Sequence, residues 1–204
     1  MARIIHAMAR WEEIAERNWG ARREATYDVP GALPATRERI LDAIARNAFD
    51  NLRAYSNCCR ATLWAIDTHL HVAGRDALRG ASALAGGIAE TGETCGAVVG
   101  SLIAIGYALA TDDLTDLDAD NAVREAGKRF VGRFRDLFGS TRCWEVQERT
   151  LGWRCDDPSK NDAWYAAGGG FACAAVCAEA ARIAGGIILD APRPGSVTLP
   201  EGRG

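Results

Sequence analysis

The sequence predicts an all-α fold, a single-domain bundle of about seven or eight helices with an N-terminal helical extension. Three observations carry this reading. Apolar residues recur at helical spacing along most of the chain, and no segment shows the alternation of a strand. With 48% hydrophobic and 25% charged residues in 204, the chain can build one sizeable core.

The elements follow in order. Ile4, Met8, Trp11 and Ala15 mark one face of a first amphipathic helix over about 2–18, with Glu12, Glu13 and Arg17 among its outward positions. Pro30 and Pro34 in YDVPGALPAT end that pattern, so residues 1–35 read as a helix and a linker. Thr36 offers a cap to a second helix striped by Leu41, Ile44, Ala48 and Leu52. Further helices are expected at about 57–71, 76–88, 93–110, 119–138, 142–150 and 171–189, completing a domain over 36–190. The tail 191–204, rich in Pro and Gly, is expected to fray. Asp116, Asp118 and Asp120 imitate a calcium loop, but Asn121 and Gly127 stand where that loop needs Gly and Glu. The acidic stretch is read as a connection into the next helix.

Bulk properties exclude several functions. A net charge of −3 and a pI near 5.7 give no basic footprint, so nucleic acid is not an expected partner. MARIIHAMARWEEIAER lacks the pattern of a secretory signal, and a cytoplasmic location is expected. The uncharged run from Thr94 to Thr111 reaches only the lower limit for a bilayer, about 18 residues, and its glycines favour a buried core helix; no membrane span is expected. No G-x-S-x-G, P-loop or G-x-G-x-x-G pattern is present.

Seven cysteines are many for a reducing compartment, which points to metal or redox chemistry. Four of them follow residues that begin helices: Ser56 and Asn57 precede Cys58, Thr91 and Gly92 precede Cys95, Ser140 and Thr141 precede Cys143, and Gly168 to Gly170 precede Cys173. The unpaired N–H groups and dipole of a first turn favour a thiolate, which is both nucleophile and metal ligand. Four such ends converging would suit an anionic sulfur-rich cofactor or a pair of exchangeable disulfides. Gly96, Gly100 and Ala104 recur every four residues, a bare stripe against which another backbone can approach and fix Cys95.

The segments NCCRATL at Cys58, GETCGAVVG at Cys95, FGSTRC at Cys143 and CAAVCAEAA at Cys173 together resemble the redox-active protein family named after its C, GCAxxG, C and C elements. The likeness covers roughly residues 45–190, although cysteine and glycine of the second element stand here in reverse order. The resemblance implies a helical module with four functional cysteines, similar to the module that carries an iron–sulfur centre in split-Soret cytochromes. No C-x-x-C-H occurs, so c-type haem is not expected.

Three cysteines are additional. Cys177 falls one turn beyond Cys173 on the same face, Cys155 lies in the polar loop WRCDDPSKND, and both are candidates for further sulfurs. Cys59 points about 100 degrees away from Cys58. His6, His69 and His71 suit surface or capping roles, and Trp64, Trp144, Trp153 and Trp164 flank the cysteine segments where they could exclude water.

The leading expectation is an iron–sulfur protein, 2Fe-2S or 4Fe-4S, ligated by Cys58, Cys95, Cys143 and Cys173 and relaying electrons to a redox partner. The alternatives are a thiol–disulfide oxidoreductase, although no C-x-x-C is present, and a four-cysteine zinc module, although zinc favours closely spaced pairs. The first helix could also support a homodimer.

Overall fold

The structure, a computed structural model, describes residues 34–191; the expected first helix and the tail lie outside the described residues. Within them the chain forms eight α-helices and two short 3-10 turns: α1 (Pro34–Tyr55), α2 (Cys58–Leu70), α3 (Arg75–Gly80), a 3-10 turn (Ala81–Leu84), α4 (Gly96–Leu109), α5 (Leu117–Phe138), α6 (Cys143–Leu151), a second 3-10 turn (Pro158–Lys160), α7 (Asn161–Ala166) and α8 (Gly169–Leu189). No strand occurs among the described residues, only one isolated bridge between Thr94 and Arg142. The all-α expectation holds.

The helices sit close to where periodicity placed them, because each buries the stripe that periodicity revealed. Leu41, Ile44, Ala48 and Leu52 of α1 are all buried, and Phe130, Phe134 and Phe138 form the inner face of α5 with ring centroids 6.0 and 4.7 Å apart. Asp116 caps α5 by accepting the Ala119 N–H at 3.0 Å, with Asp118 and Asp120 in its first turn. The acidic stretch is therefore a helix entry, as expected. His71 ends α2 in the left-handed conformation and His69 meets Asn47 at 2.8 Å.

The central element is α8, which packs against α1, α2, α4, α5, α6 and α7. By length and composition it is apolar enough to cross a membrane, yet 67% of its apolar window is buried inside the bundle. Its Gly185 lets α1 approach so closely that an added Cβ would lie 2.9 Å from Ile44 Cδ1. The bare stripe of α4 behaves as expected, for a Cβ on Gly100 would overlap the Cys59 carbonyl oxygen and one on Gly96 the Cys58 sulfur. Helices α2 and α4 thus touch backbone to backbone, and the cysteines at their starts are held rigidly.

One expected helix ends early. Instead of running over 76–88, the chain leaves α3 at Gly80, passes the 3-10 turn and then reverses hand over five successive residues. Gly86 and Gly87 have φ of +65° and +75°, and Ile88, Ala89 and Glu90 follow at +58°, +51° and +64°. Each non-glycine residue there costs roughly 1–2 kcal/mol. The turn is held by Ala89 N–H to Ala83 O at 2.8 Å, Gly92 N–H to Gly86 O at 3.1 Å, Glu93 N–H to Gly87 O at 3.0 Å and Thr91 Oγ1 to Gly87 O at 2.8 Å. Helix α7 fills part of what reads as a polar loop; six residues are too few to display a period.

Two measurements follow. Ala89 is exposed, so Ala89→Gly removes left-handed strain at little cost in burial and raises stability by about 1 kcal/mol in a urea or thermal melt. Gly100→Ala forces α2 and α4 apart and lowers it by about 1–3 kcal/mol in the same melt.

Candidate functional site

Local rules put each cysteine at a helix end, and tertiary pairing brings the ends together. Asn57 caps α2 by accepting the Arg60 N–H at 3.0 Å, which makes Cys58 the first helical residue. Cys95 is itself the cap residue of α4, and Cys143 is the first residue of α6. Cys173 differs from the sequence reading: α8 begins at Gly169, so this cysteine lies one turn inside the helix. The glycines mark the start, and the sulfur projects from the next turn.

Residues 92–95 and 141–144 run side by side. Cys95 N–H donates to Thr141 O at 2.8 Å, Cys143 N–H to Glu93 O at 2.6 Å and Trp144 N–H to Gly92 O at 3.4 Å. A Cβ on Gly92 would collide with the Trp144 ring, and one on Gly87 would lie 2.6 Å from Cys143 Cβ. The starts of α4 and α6 are thereby fixed together, and the Cys143 thiol lies within interaction reach of Cys95. Cys58 is within electrostatic reach of Cys95, and Cys173 within reach of both Cys58 and Cys95.

A cavity of about 490 Å³ opens at this junction, lined by Cys58, Cys143 and Cys173 together with Trp144, Trp164 and Phe171. Cys95 lies behind it, 5% exposed. Trp144 and Trp164 shield the sulfurs as expected, whereas Trp64 stacks on Tyr55 at the surface, 42% exposed. The extra cysteines divide. Cys59 and Cys177 are buried in the core, with Cys177 S–H directed to Cys58 O at 3.8 Å. Cys155 lines the cavity, its S–H donating to Asn161 Oδ1 at 3.1 Å.

The electrostatics run against the first-turn argument. Burial and the neighbouring Cys95 push Cys58 up to about 11, although N–H groups of Gly86, Cys58 and Cys59 face its sulfur and oppose the rise. Burial, then Cys58 and Cys95, lift Cys59 to about 12. Cys95 is held well above the ordinary thiol range by its bond to Cys143 and by burial, with Ala97 and Val98 N–H opposing. Burial and then the neighbouring sulfurs do the same to Cys173 and Cys177. Desolvation and crowding outweigh the helix ends. Cys58, Cys95 and Cys173 are therefore neutral thiols at neutral pH.

Among the described residues, no group of three or more His, Cys, Asp or Glu stands in single-ion geometry. Zinc would need its sulfurs roughly 3.8 Å apart around one point. Cys58, Cys143 and Cys173 instead line the cavity and Cys95 lies behind it, with backbone N–H groups aimed at Cys58 and Cys95 and a glycine cradle at 86, 87 and 96. Gln147 was not legible as a site residue, yet it is 9% exposed and its Nε2 donates to Cys143 Sγ at 3.6 Å. Its position four residues after Cys143 on one helix is the signal that could have found it.

Exposure orders the reactivity. With a disulfide reagent the native metal-free protein is expected to show a fast phase from Cys155, absent in Cys155→Ser, while Cys59 and Cys177 are expected to react only on unfolding. A fast phase that survives Cys155→Ser contradicts the burial pattern.

Residues 56–187 match the family described as Putative redox-active protein (C_GCAxxG_C_C). No curated protein and no solved structure matches the chain.

Proposed function

The chain belongs to the C_GCAxxG_C_C redox-active protein family, and from that premise we propose that Cys58, Cys95, Cys143 and Cys173 hold an iron–sulfur cluster through which the protein transfers electrons. The observation that carries the reading is that Cys58, Cys143 and Cys173 line one cavity and Cys95 is buried behind it, although 37, 48 and 30 residues separate the four along the chain. When bound, such a cluster accepts and donates single electrons. The residues supply the rest. Thiolates ligate it, N–H groups of Gly86, Cys59, Ala97 and Val98 compensate their charge, and Trp144 and Trp164 keep water away. Donors aimed at ligand sulfurs favour the more negative, reduced state and raise the potential. An external donor and acceptor complete the circuit.

A second reading rests on the backbone pairing that brings the Cys95 and Cys143 thiols within interaction reach. As a pair they would form a disulfide, releasing two electrons and two protons to a partner disulfide that is reduced to two thiols. The neighbouring Cys143 thiol and burial raise the proton affinity of Cys95, which makes it a slow attacking group at neutral pH and favours the cluster.

Protein purified without oxygen is expected to be brown and to contain iron and acid-labile sulfide. Cys95→Ser or Cys143→Ser abolishes the colour, and Cys59→Ser keeps it. Colourless protein with two reversibly oxidised thiols selects the disulfide, and stoichiometric zinc overturns both readings.

A further inference from the structure

Four polar side chains are buried among the described residues: Thr62, Ser101, Ser140 and Gln147. Of these, Gln147 donates a hydrogen bond to a site sulfur. One turn beyond Cys143 on α6, its Nε2 donates to Cys143 Sγ at 3.6 Å while its Oε1 accepts the Cys155 backbone N–H at 2.8 Å. The second bond orients the first. A backbone N–H can be met only by the amide oxygen, so the NH₂ group has to face the sulfur. An aliphatic side chain of equal length would fill the same space without needing either partner.

The loop that supplies that N–H is itself anchored. Cys155 S–H donates to Asn161 Oδ1 at 3.1 Å and to Asp157 O at 3.6 Å, and Asn161 is the first residue of α7. A hydrogen-bonded series therefore runs from α7 through Cys155 and Gln147 to Cys143. All four of its residues, Asn161, Cys155, Gln147 and Cys143, line the cavity. Along this series the loop position dictates where the amide points.

Reduction places more negative charge on the sulfurs of a cluster, and it turns a disulfide sulfur into a thiol sulfur whose greater electron density makes it the better hydrogen-bond acceptor. A buried N–H donor stabilises that charge more than water-exposed donors do, because the surrounding dielectric is low. We propose that Gln147 is a positioning residue whose amide, fixed by the Cys155 loop, donates to Cys143 and raises the reduction potential of the cysteine site. The proposal rests on the reading that Cys143 takes part in redox chemistry, and it holds for either form of that chemistry.

The test uses the full chain purified without oxygen, as parent, Gln147→Glu and Gln147→Met. The glutamate keeps an acceptor for Cys155 N–H but loses the donor; the methionine fills the space with neither, and carries the test if the carboxylate prevents folding as judged by circular dichroism. Both variants are expected to hold iron and sulfide at parental levels. Their midpoint potential, read by dye-mediated titration of the visible spectrum, should fall by about tenfold in the reduction equilibrium, 59 mV for one electron. Parental potential in a loaded variant overturns the proposal, as does loss of iron from both folded variants.

If the parent holds no iron, the cluster reading fails while this inference stays testable. The Cys95–Cys143 couple is then titrated in a thiol–disulfide buffer, where the variants should again be more reducing than the parent. Unchanged potentials overturn the inference, and a parent with neither iron nor a reversible disulfide overturns both it and the cysteine-site reading.

Discussion

The antiparallel backbone clasp between residues 92–95 and 141–144 is the constraint on which the rest of the site depends. Three hydrogen bonds, from Cys95 to Thr141, Cys143 to Glu93 and Trp144 to Gly92, join the beginnings of two helices whose cysteines are 48 residues apart in sequence. Hydrogen-bond donors at helix starts have no partner within the helix. Here two of the capping segments satisfy each other, so the same bonds that finish α4 and α6 place their sulfurs side by side. Gly92 permits this because the Trp144 ring lies where its side chain would be.

The left-handed turn over Gly86–Glu90 completes the enclosure at a cost. Three non-glycine residues in that conformation oppose folding by several kcal/mol, and the turn survives because its hydrogen bonds to Ala83, Ala85, Gly86 and Gly87 allow no relaxed alternative. In return, Gly86 N–H faces the Cys58 sulfur and Gly87 leaves room for Cys143. Strain sits where it orients donors toward sulfur, and the α1–α8 and α2–α4 packing supplies the compensating stability.

Electrostatics make neutral thiols of Cys58, Cys95 and Cys173. Helix-end N–H groups act on Cys58 and Cys95, but burial and sulfur–sulfur crowding act more strongly, so the proton affinity of Cys58, Cys95 and Cys173 is high. Cys155, at the cavity mouth and bonded to Asn161, stands outside this crowd.

Much of the fold was legible because helical periodicity is local: the stripes of α1 and α5, the Asp116 cap, and the bare face of α4 each declare themselves within a few residues. Helix-start signals before Cys58, Cys95 and Cys143 were equally local, whereas the glycines before Cys173 marked a start one turn earlier than its sulfur. What only the tertiary structure decided is everything that joins distant segments. The clasp, the reversal at Ile88–Glu90, the neutral state of the thiols and the Gln147 bonds to Cys143 and Cys155 depend on burial and partners far along the chain. Local sequence sets which conformations a segment favours; the environment of a sulfur is set by what packs against it.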